Sequence, residues 1–128
     1  MDPAVIRYYR NLLKTGFEHA GSLESPSIFL DTVNEKLPIC GNIGDYLHLF
    51  INVIDGVIND IKYLCTCEPT TNVAVEILCY LLKGKKIEEA RNMDKESFFD
   101  ILKAQSPELG KKAEGLLELL NRGLARWA

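Results

Sequence analysis

Residues 46–67 constrain the fold more than any other part of the sequence. Aliphatic residues alternate with other residues over 47–53, which is the period of a half-buried β-strand. Asp55-Gly56 follows, and this dipeptide is a strong signal for a two-residue hairpin turn. The chain then returns over residues 57–67 as an antiparallel partner. The sequence therefore predicts a β-hairpin, which needs further elements to cover its apolar face.

Two cysteines, Cys65 and Cys67, lie where the second strand of this hairpin runs into a helix. Residues two apart on a strand share a face, so we expect Tyr63 and both cysteines to point the same way. Pro69 suits the first position of a helix, and the positive end of the helix dipole beyond Cys67 favours its thiolate form. A single cysteine on an apolar strand is commonly a small buried hydrophobe. Two at this junction favour metal or sulfur chemistry.

The residues before the hairpin predict one helix and one short strand. Asp2-Pro3 and the helical spacing of the apolar residues that follow predict a first helix over 3–15. Turn-forming residues without a period come next, so we expect His19 to be a solvated loop histidine. Residues 28–33 form a weakly alternating strand candidate. In the hairpin itself, His48 is expected on the exposed face rather than as a metal ligand.

The residues after the hairpin predict a set of helices. A helix over 70–83 is apolar around most of its circumference, which is typical of a buried helix. Its narrow polar stripe consists of Asn72, Glu76 and Tyr80, and Cys79 belongs to its core side. A brief helical turn at 87–90 and a helix capped by Asp94 precede a last helix that opens at Ser106-Pro107. The apolar stripe of this last helix contains Leu109, Ala113, Leu116, Leu117, Leu120 and Leu124.

These elements predict an α+β fold. Its small three-stranded antiparallel sheet, a meander, packs against an N-terminal helix, a central buried helix and C-terminal helices. The 128 residues fit a single domain spanning 1–128. No internal repeat or linker interrupts this arrangement.

The composition indicates which kinds of partner and which cellular compartment to expect. The formal net charge is −3 and the pI about 5.4, which gives no electrostatic reason to expect nucleic acid or an anionic membrane as partner. The start of the chain lacks the basic and apolar regions of a signal peptide, and no apolar run is long enough to span a membrane. We therefore expect a cytoplasmic protein. In that reducing compartment its four cysteines point to metal, cluster or sulfur chemistry, or to burial, rather than to disulfides.

Several segments in order resemble the NifU/IscU-type iron–sulfur cluster assembly scaffolds, and the resemblance covers nearly the whole chain. The segments that carry it are Cys40-Gly41, residues 52–63, the cysteines before the central helix, and residues 82–90. The resemblance implies a non-enzymatic scaffold that receives sulfur from a cysteine desulfurase. Such a scaffold assembles a labile [2Fe–2S] cluster on three cysteines and an aspartate, and passes it to acceptor proteins with help from a chaperone.

The sequence departs from this family at the expected ligands. Family members read Cys-Gly-Asp, whereas Asn42 follows Cys40-Gly41 here, so either the acid has become Asn42 or Asp45 takes its place after an insertion. We favour Asp45, although it also suits a turn. Counting back from Lys83-Gly84 places Glu68 at the position of the second family cysteine, with Cys67 displaced by one residue.

The third family cysteine falls near Glu108-Leu109, and no cysteine follows Cys79. Cys65 is the candidate replacement. The predicted site is therefore Cys40, Cys65, Cys67 and Asp45, with Glu68 and Glu108 as alternative oxygen donors. Thiolates bind iron well, and a harder carboxylate ligand makes the site easier to empty.

Three functions compete at this point. The first is a scaffold or carrier for an iron–sulfur cluster or for its iron and sulfur precursors. The second is an interaction module that keeps the fold, docks to a cysteine desulfurase, and binds zinc or no metal; the missing third cysteine favours it. The third is a sulfurtransferase with Cys67 as persulfide acceptor, which ranks lowest because no base or oxyanion partner is evident near Cys67.

Overall fold

The computed structural model describes residues 2–32, 46–66 and 68–125. Eight helices and strands follow one another in these ranges: α1 (Pro3–Thr15), β1 (Ile28–Asp31), β2 (Leu47–Ile54), β3 (Val57–Cys65), α2 (Pro69–Leu82), α3 (Ile87–Arg91), α4 (Lys95–Leu102) and α5 (Pro107–Leu124). The strands form one antiparallel sheet in the order β1-β2-β3. The predicted α+β fold with a three-stranded meander is confirmed. No helix in the described ranges is long and apolar enough to cross a membrane.

The predicted hairpin is present between β2 and β3. Asp55 and Gly56 have φ angles of 52° and 75°, so both central residues of the turn are left-handed, as a type I′ turn requires. Glycine at the second position adopts this conformation without a steric penalty. A bulge between Asn52 and Val53 shifts the register, and pairing then runs to Leu47 opposite Cys65.

Strands β1 and β3 both end earlier than predicted, at Asp31 instead of residue 33 and at Cys65 instead of residue 67. Threonine side chains explain this. The Thr32 hydroxyl oxygen accepts from the Leu47 N–H at 2.9 Å, and the Thr66 hydroxyl oxygen accepts from the Tyr46 N–H at 3.0 Å. Each hydroxyl thus takes the place of a backbone carbonyl, which ends the regular ladder.

One face of the sheet forms the floor of the core. The side chains buried there are Ile28, Leu47, Leu49, Ile51, Ile58, Ile61 and Tyr63. Helix α2 packs on β3 and against α1 and α5, and α5 packs on β1. Every residue of the predicted α5 stripe is buried. Gly123 allows α5 to approach β1 closely, since a Cβ atom there would lie 2.5 Å from Leu30 Cδ2.

The other face of the sheet carries a cluster of rings. The Phe29 ring centroid lies 5.2 Å from that of His48 and 5.3 Å from that of Phe50. The His48 side chain is 29% exposed, and its Nε2 lies 3.5 Å from Asp31 Oδ1. His48 is therefore on the outer face, as predicted, but packed among aromatic rings rather than fully solvated.

Candidate functional site

Of the four residues of the predicted site, Cys65 lies within the described part of the chain. It is the last residue of β3. Tyr63, two residues earlier, is buried, whereas Leu64 between them is exposed. Cys65 is half-buried and packs against the edge of the core on the Tyr63 side. The N–H of Thr66 still donates to the Tyr46 carbonyl at 3.0 Å, so strand-like pairing continues one residue beyond Cys65. Tyr63 and Cys65 therefore lie on the same face of the strand, as predicted.

Three other predicted ligands, Cys40, Asp45 and Cys67, lie outside the described residues. Their assignment stays a prediction. In the described part of the chain, His, Cys, Asp and Glu side chains do not form a group of three or more that could hold a metal ion.

Polar side chains meet where helix α2 begins, a few residues after Cys65. Pro69 is the first helical residue and Glu68 precedes it as N-cap. Lys112 on α5 lies against Glu68, with 2.7 Å between Nζ and Oε1, and only 14% of the lysine side chain is exposed. Thr71 also donates to Glu68 Oε1, at 3.3 Å. These contacts tie the start of α2 to α5.

Glu108, the other alternative oxygen donor, joins three helices. One carboxylate oxygen accepts from the Thr70 hydroxyl and the other from the Asp2 N–H, both at 3.2 Å. The Ser106 hydroxyl donates to the Asp2 carboxylate and accepts from the Leu109 N–H at 3.1 Å. Asp2 holds the N-cap position of α1, but its side chain bonds to Ser106 instead of capping its own helix. Both oxygens of Glu108 are thus engaged in holding α1, α2 and α5 together.

Cys79 is completely buried on α2, as predicted. Burial, and next the negative charge of Glu76, raise the pKa of its thiol well above the ordinary value. A thiol in this environment stays protonated and is a poor metal ligand. Cys79 therefore belongs to the core and not to the candidate site.

The prediction that His19 is a solvated loop histidine is wrong, because only 5% of the residue is exposed. Its backbone N–H and its Nδ1 both lie 3.0 Å from Glu76 Oε1. Residues 19–21 run beside β3, where the Tyr63 N–H donates to the His19 carbonyl at 3.0 Å and the Gly21 N–H donates to the Tyr63 carbonyl at 2.8 Å. This docking of the loop on the sheet edge carries the imidazole into the interior.

Glu76, one of the three residues of the predicted polar stripe, is likewise buried, at 4% exposure. Its neighbour on the stripe, Asn72, accepts a hydrogen bond from the Tyr63 hydroxyl at 2.9 Å. Of the three stripe residues, only Tyr80 is exposed, at 59%. A lone acid within an apolar helix was the one sequence signal of a buried partner, and no pattern in the sequence identified that partner as His19.

No protein-family model matches this sequence, and no curated protein matches it either. Solved structures do match its fold over almost the whole chain. One is a protein described as an iron–sulfur cluster assembly scaffold for the SUF system, from the thermophile Fervidobacterium islandicum AW-1. It is 16% identical with a TM-score of 0.65, and the match covers 97% of this chain and 96% of that one.

Two further structures resemble the chain to a similar extent. A hypothetical protein is 15% identical with a TM-score of 0.64, and the match covers 98% of this chain and all of that one. The N-terminal part of a nitrogen-fixing NifU-like protein from Brucella abortus is 15% identical with a TM-score of 0.55, covering 97% and 82% of the two chains. At these identities the comparisons show a shared fold.

Proposed function

We propose that this protein is a non-enzymatic scaffold or carrier for an iron–sulfur cluster or for its iron and sulfur precursors. The observation that carries the proposal is the end-to-end match of its fold with a protein described as an iron–sulfur cluster assembly scaffold, 97% of one chain on 96% of the other. The NifU-like structure, matched over 97% of this chain, supports the same assignment. Fold alone does not fix function, so the local chemistry has to agree.

The chemistry around Cys65 agrees with a sulfur ligand. Its side chain is half-buried at the end of β3, four residues before the first turn of α2. A thiol placed at such an edge can be reached by a metal ion and is shielded on one side by the core. Cys40 and Cys67 supply two further thiols and Asp45 a carboxylate in the proposed set. This set would hold a [2Fe–2S] cluster as cargo, and the carboxylate would ease its release.

Partners follow from the same proposal. Sulfur would come from a cysteine desulfurase, and the cluster would pass to acceptor proteins with the help of a chaperone. The protein would work in the cytoplasm.

A second candidate is supported by a specific observation. Glu108 lies close to where the third family cysteine is expected, and both its carboxylate oxygens are engaged in contacts between helices. Glu68 is paired with Lys112 at 2.7 Å. These contacts leave fewer carboxylate oxygens available to bind a cluster. They favour an interaction module of the same fold, which docks to a cysteine desulfurase and binds zinc or no metal.

Anaerobic reconstitution tests the two candidates against each other. The protein is incubated with iron, a thiol, cysteine and a cysteine desulfurase, and its charge-transfer absorption and its content of iron, zinc and acid-labile sulfide are measured. The scaffold proposal expects a visible chromophore with bound iron and sulfide. Stoichiometric zinc with neither iron nor sulfide would favour the interaction module instead.

Single substitutions locate the ligands. Cys40→Ala, Cys65→Ala and Cys67→Ala should each lower cluster content sharply, whereas Asp45→Ala should mainly hasten cluster loss. Cys79→Ala is the matched control, because it also removes one thiol but from the core, and it should keep normal iron content. A folded Cys65→Ala protein with a normal cluster would assign Cys65 to the core and transfer its role to Glu68, Glu108 or a second chain.

A further inference from the structure

The two outer edges of the sheet differ in how they are covered. Along β3, the Tyr63 N–H donates to the His19 carbonyl at 3.0 Å. Nearer the hairpin, the Ile58 N–H donates to the Lys85 carbonyl at 2.8 Å. In the described part of the chain, no backbone segment pairs in this way with the outer edge of β1, which we call the open edge. An open edge presents backbone N–H and C=O groups to any other strand.

Pairing within the sheet determines which groups of β1 face the open edge. The Thr32 N–H donates to the Leu47 carbonyl at 3.2 Å, just beyond the last residue of β1. Hydrogen-bonded and non-hydrogen-bonded pairs alternate along an antiparallel ladder, so Phe29 and its partner Phe50 form a non-hydrogen-bonded pair. The N–H and C=O of Phe29 therefore point away from β2. Neither group has a partner on its outer side within the described ranges.

The Phe29 side chain places an exposed ring at the same edge. Phe29 is 48% exposed, although its ring contacts those of His48 and Phe50 on the outer face of the sheet. Side chains directly opposite each other on antiparallel strands are about 4.5–5.5 Å apart, and aromatic pairs at this spacing stabilise a sheet. A strand that pairs with the Phe29 backbone would therefore also cover the Phe29 ring.

We propose that the open edge of β1 pairs with β1 of a second copy of this chain, antiparallel about a two-fold axis at Phe29. The two Phe29 residues exchange both of their backbone hydrogen bonds, as a hydrogen-bonded antiparallel pair does. Their rings lie side by side on the outer face. The two three-stranded sheets thereby join into one continuous sheet.

The sequence of β1 is complementary to itself in this register. Leu30 of one copy lies opposite Ile28 of the other, and both are aliphatic residues on the core side of the sheet. Asp31 lies opposite Ser27, so no like charges face each other across the new pair. Because the same strand supplies both sides, the contact is isologous and closes after two copies. An unrelated extended peptide would match these side chains only by chance.

The length of the open edge limits the strength of this pairing. Strand β1 has four residues and ends at the charged Asp31, and both features weaken edge-to-edge pairing. The contact buries well under the roughly 1,200 Å² of a stable interface, so we expect a dissociation constant of about 0.1–1 mM. The pairing is independent of the iron–sulfur proposal, since β1 contains none of the predicted cluster ligands.

Sedimentation velocity and amide hydrogen exchange test the proposal on the intact chain, at protein concentrations up to about 1 mM. The expected result is a reversible dimer, with exchange of the Phe29 N–H slowing as the concentration rises. The Tyr63 N–H is the internal control, because it is already bonded to the His19 carbonyl and should change little. A chain that stays monomeric throughout, or concentration-independent exchange at Phe29, would overturn the proposal.

Charged variants test the two-fold register. Residue 29 faces its own copy, so Phe29→Lys and Phe29→Glu each place two like charges opposite each other and should weaken dimerisation about tenfold or more. An equimolar mixture of these two variants should form a mixed dimer, because opposite charges then face each other. A mixture that stays monomeric, or a single variant that dimerises as the native chain does, would contradict this register.

Two further variants separate the open edge from other surfaces. Phe29→Pro removes the outward N–H, and an edge strand accepts proline where the N–H is outside the ladder. Circular dichroism should therefore show a folded protein, and sedimentation a monomer. Leu13→Ser is the matched control, because it removes an apolar side chain that is 60% exposed on α1, and it should dimerise normally. Dimerisation of Phe29→Pro, or equal weakening in Leu13→Ser, would place the contact elsewhere.

Discussion

Replacing His19 by alanine should destabilise the fold far more than replacing the other histidine, His48. His19 makes two hydrogen bonds with Glu76 Oε1, one from its backbone and one from its ring. The backbone bond survives the substitution and the ring bond does not. A hydrogen bond to a charged group contributes about 1.5–3 kcal/mol. With the lost packing of a side chain that is only 6% exposed, the free energy of unfolding should fall by about 2–4 kcal/mol.

His48→Ala is the matched control. The His48 side chain is 29% exposed, and its contact with Asp31 is a 3.5 Å pair at the surface. Surface pairs contribute about 0–1 kcal/mol and ring contacts about as much, so the loss should be about 1 kcal/mol. His19→Phe is a second control, because it keeps a buried ring and removes the donor.

Urea unfolding at neutral pH measures these differences. The midpoint should move to lower urea for His19→Ala while the slope stays unchanged, since the surface exposed on unfolding is the same. His19→Phe should be destabilised by at least the hydrogen-bond contribution. The reasoning would be refuted if His19→Ala lost less than about 0.5 kcal/mol, or if His19→Phe were as stable as the native protein.

Two further predictions concern buried titratable groups. Burial first, and then Glu76, raise the pKa of Tyr63 above its ordinary 10.0. The unfolded chain therefore loses this proton first, so stability should be constant below about pH 10 and fall above it, and urea midpoints should fall less steeply in Tyr63→Phe. Cys79→Ala should lower the free energy of unfolding by about 1 kcal/mol. In the native state at pH 8, iodoacetamide should modify Cys65 but not Cys79, and equal rates for the two thiols would show that Cys79 is not buried as described.

Local signals in the sequence were sufficient to predict that the helices and strands exist and which of their faces are buried. The spacing after Asp2-Pro3 predicted α1 with the bounds that the structure has, Pro3–Thr15. Asp55-Gly56 predicted the hairpin turn, and the spacing of leucines predicted the buried face of α5. Such features depend on residues a few positions apart, so a periodic pattern contains all the information needed.

The positions at which β1 and β3 end depend on side-chain hydrogen bonds, which the periodic pattern of the sequence does not predict. The Thr32 hydroxyl oxygen accepts from the N–H of Leu47, the first residue of β2, and the Thr66 hydroxyl oxygen accepts from the N–H of Tyr46 just before it, and the ladder stops there. A threonine is equally suited to continue a strand, so only its position opposite β2 decided the outcome.

For the candidate site, the sequence predicted the direction of Cys65 from strand parity alone. It also proposed Glu68 and Glu108 as oxygen donors, because their positions along the chain fit. Only the tertiary structure showed that Lys112 pairs with Glu68 and that Glu108 bonds to Asp2 and Thr70. Cys40, Asp45 and Cys67 stay predictions from the sequence.

The pairing of His19 with Glu76 was decided by the tertiary structure alone. The two residues are 57 positions apart. The sequence placed His19 in a solvated loop and Glu76 on the polar stripe of a buried helix, and nothing in it linked the two. Docking of residues 19–21 on β3 buried both groups, and a buried carboxylate then required a donor. Periodicity determines which face of an element is apolar. It does not determine which buried polar groups meet, because that depends on how distant segments pack.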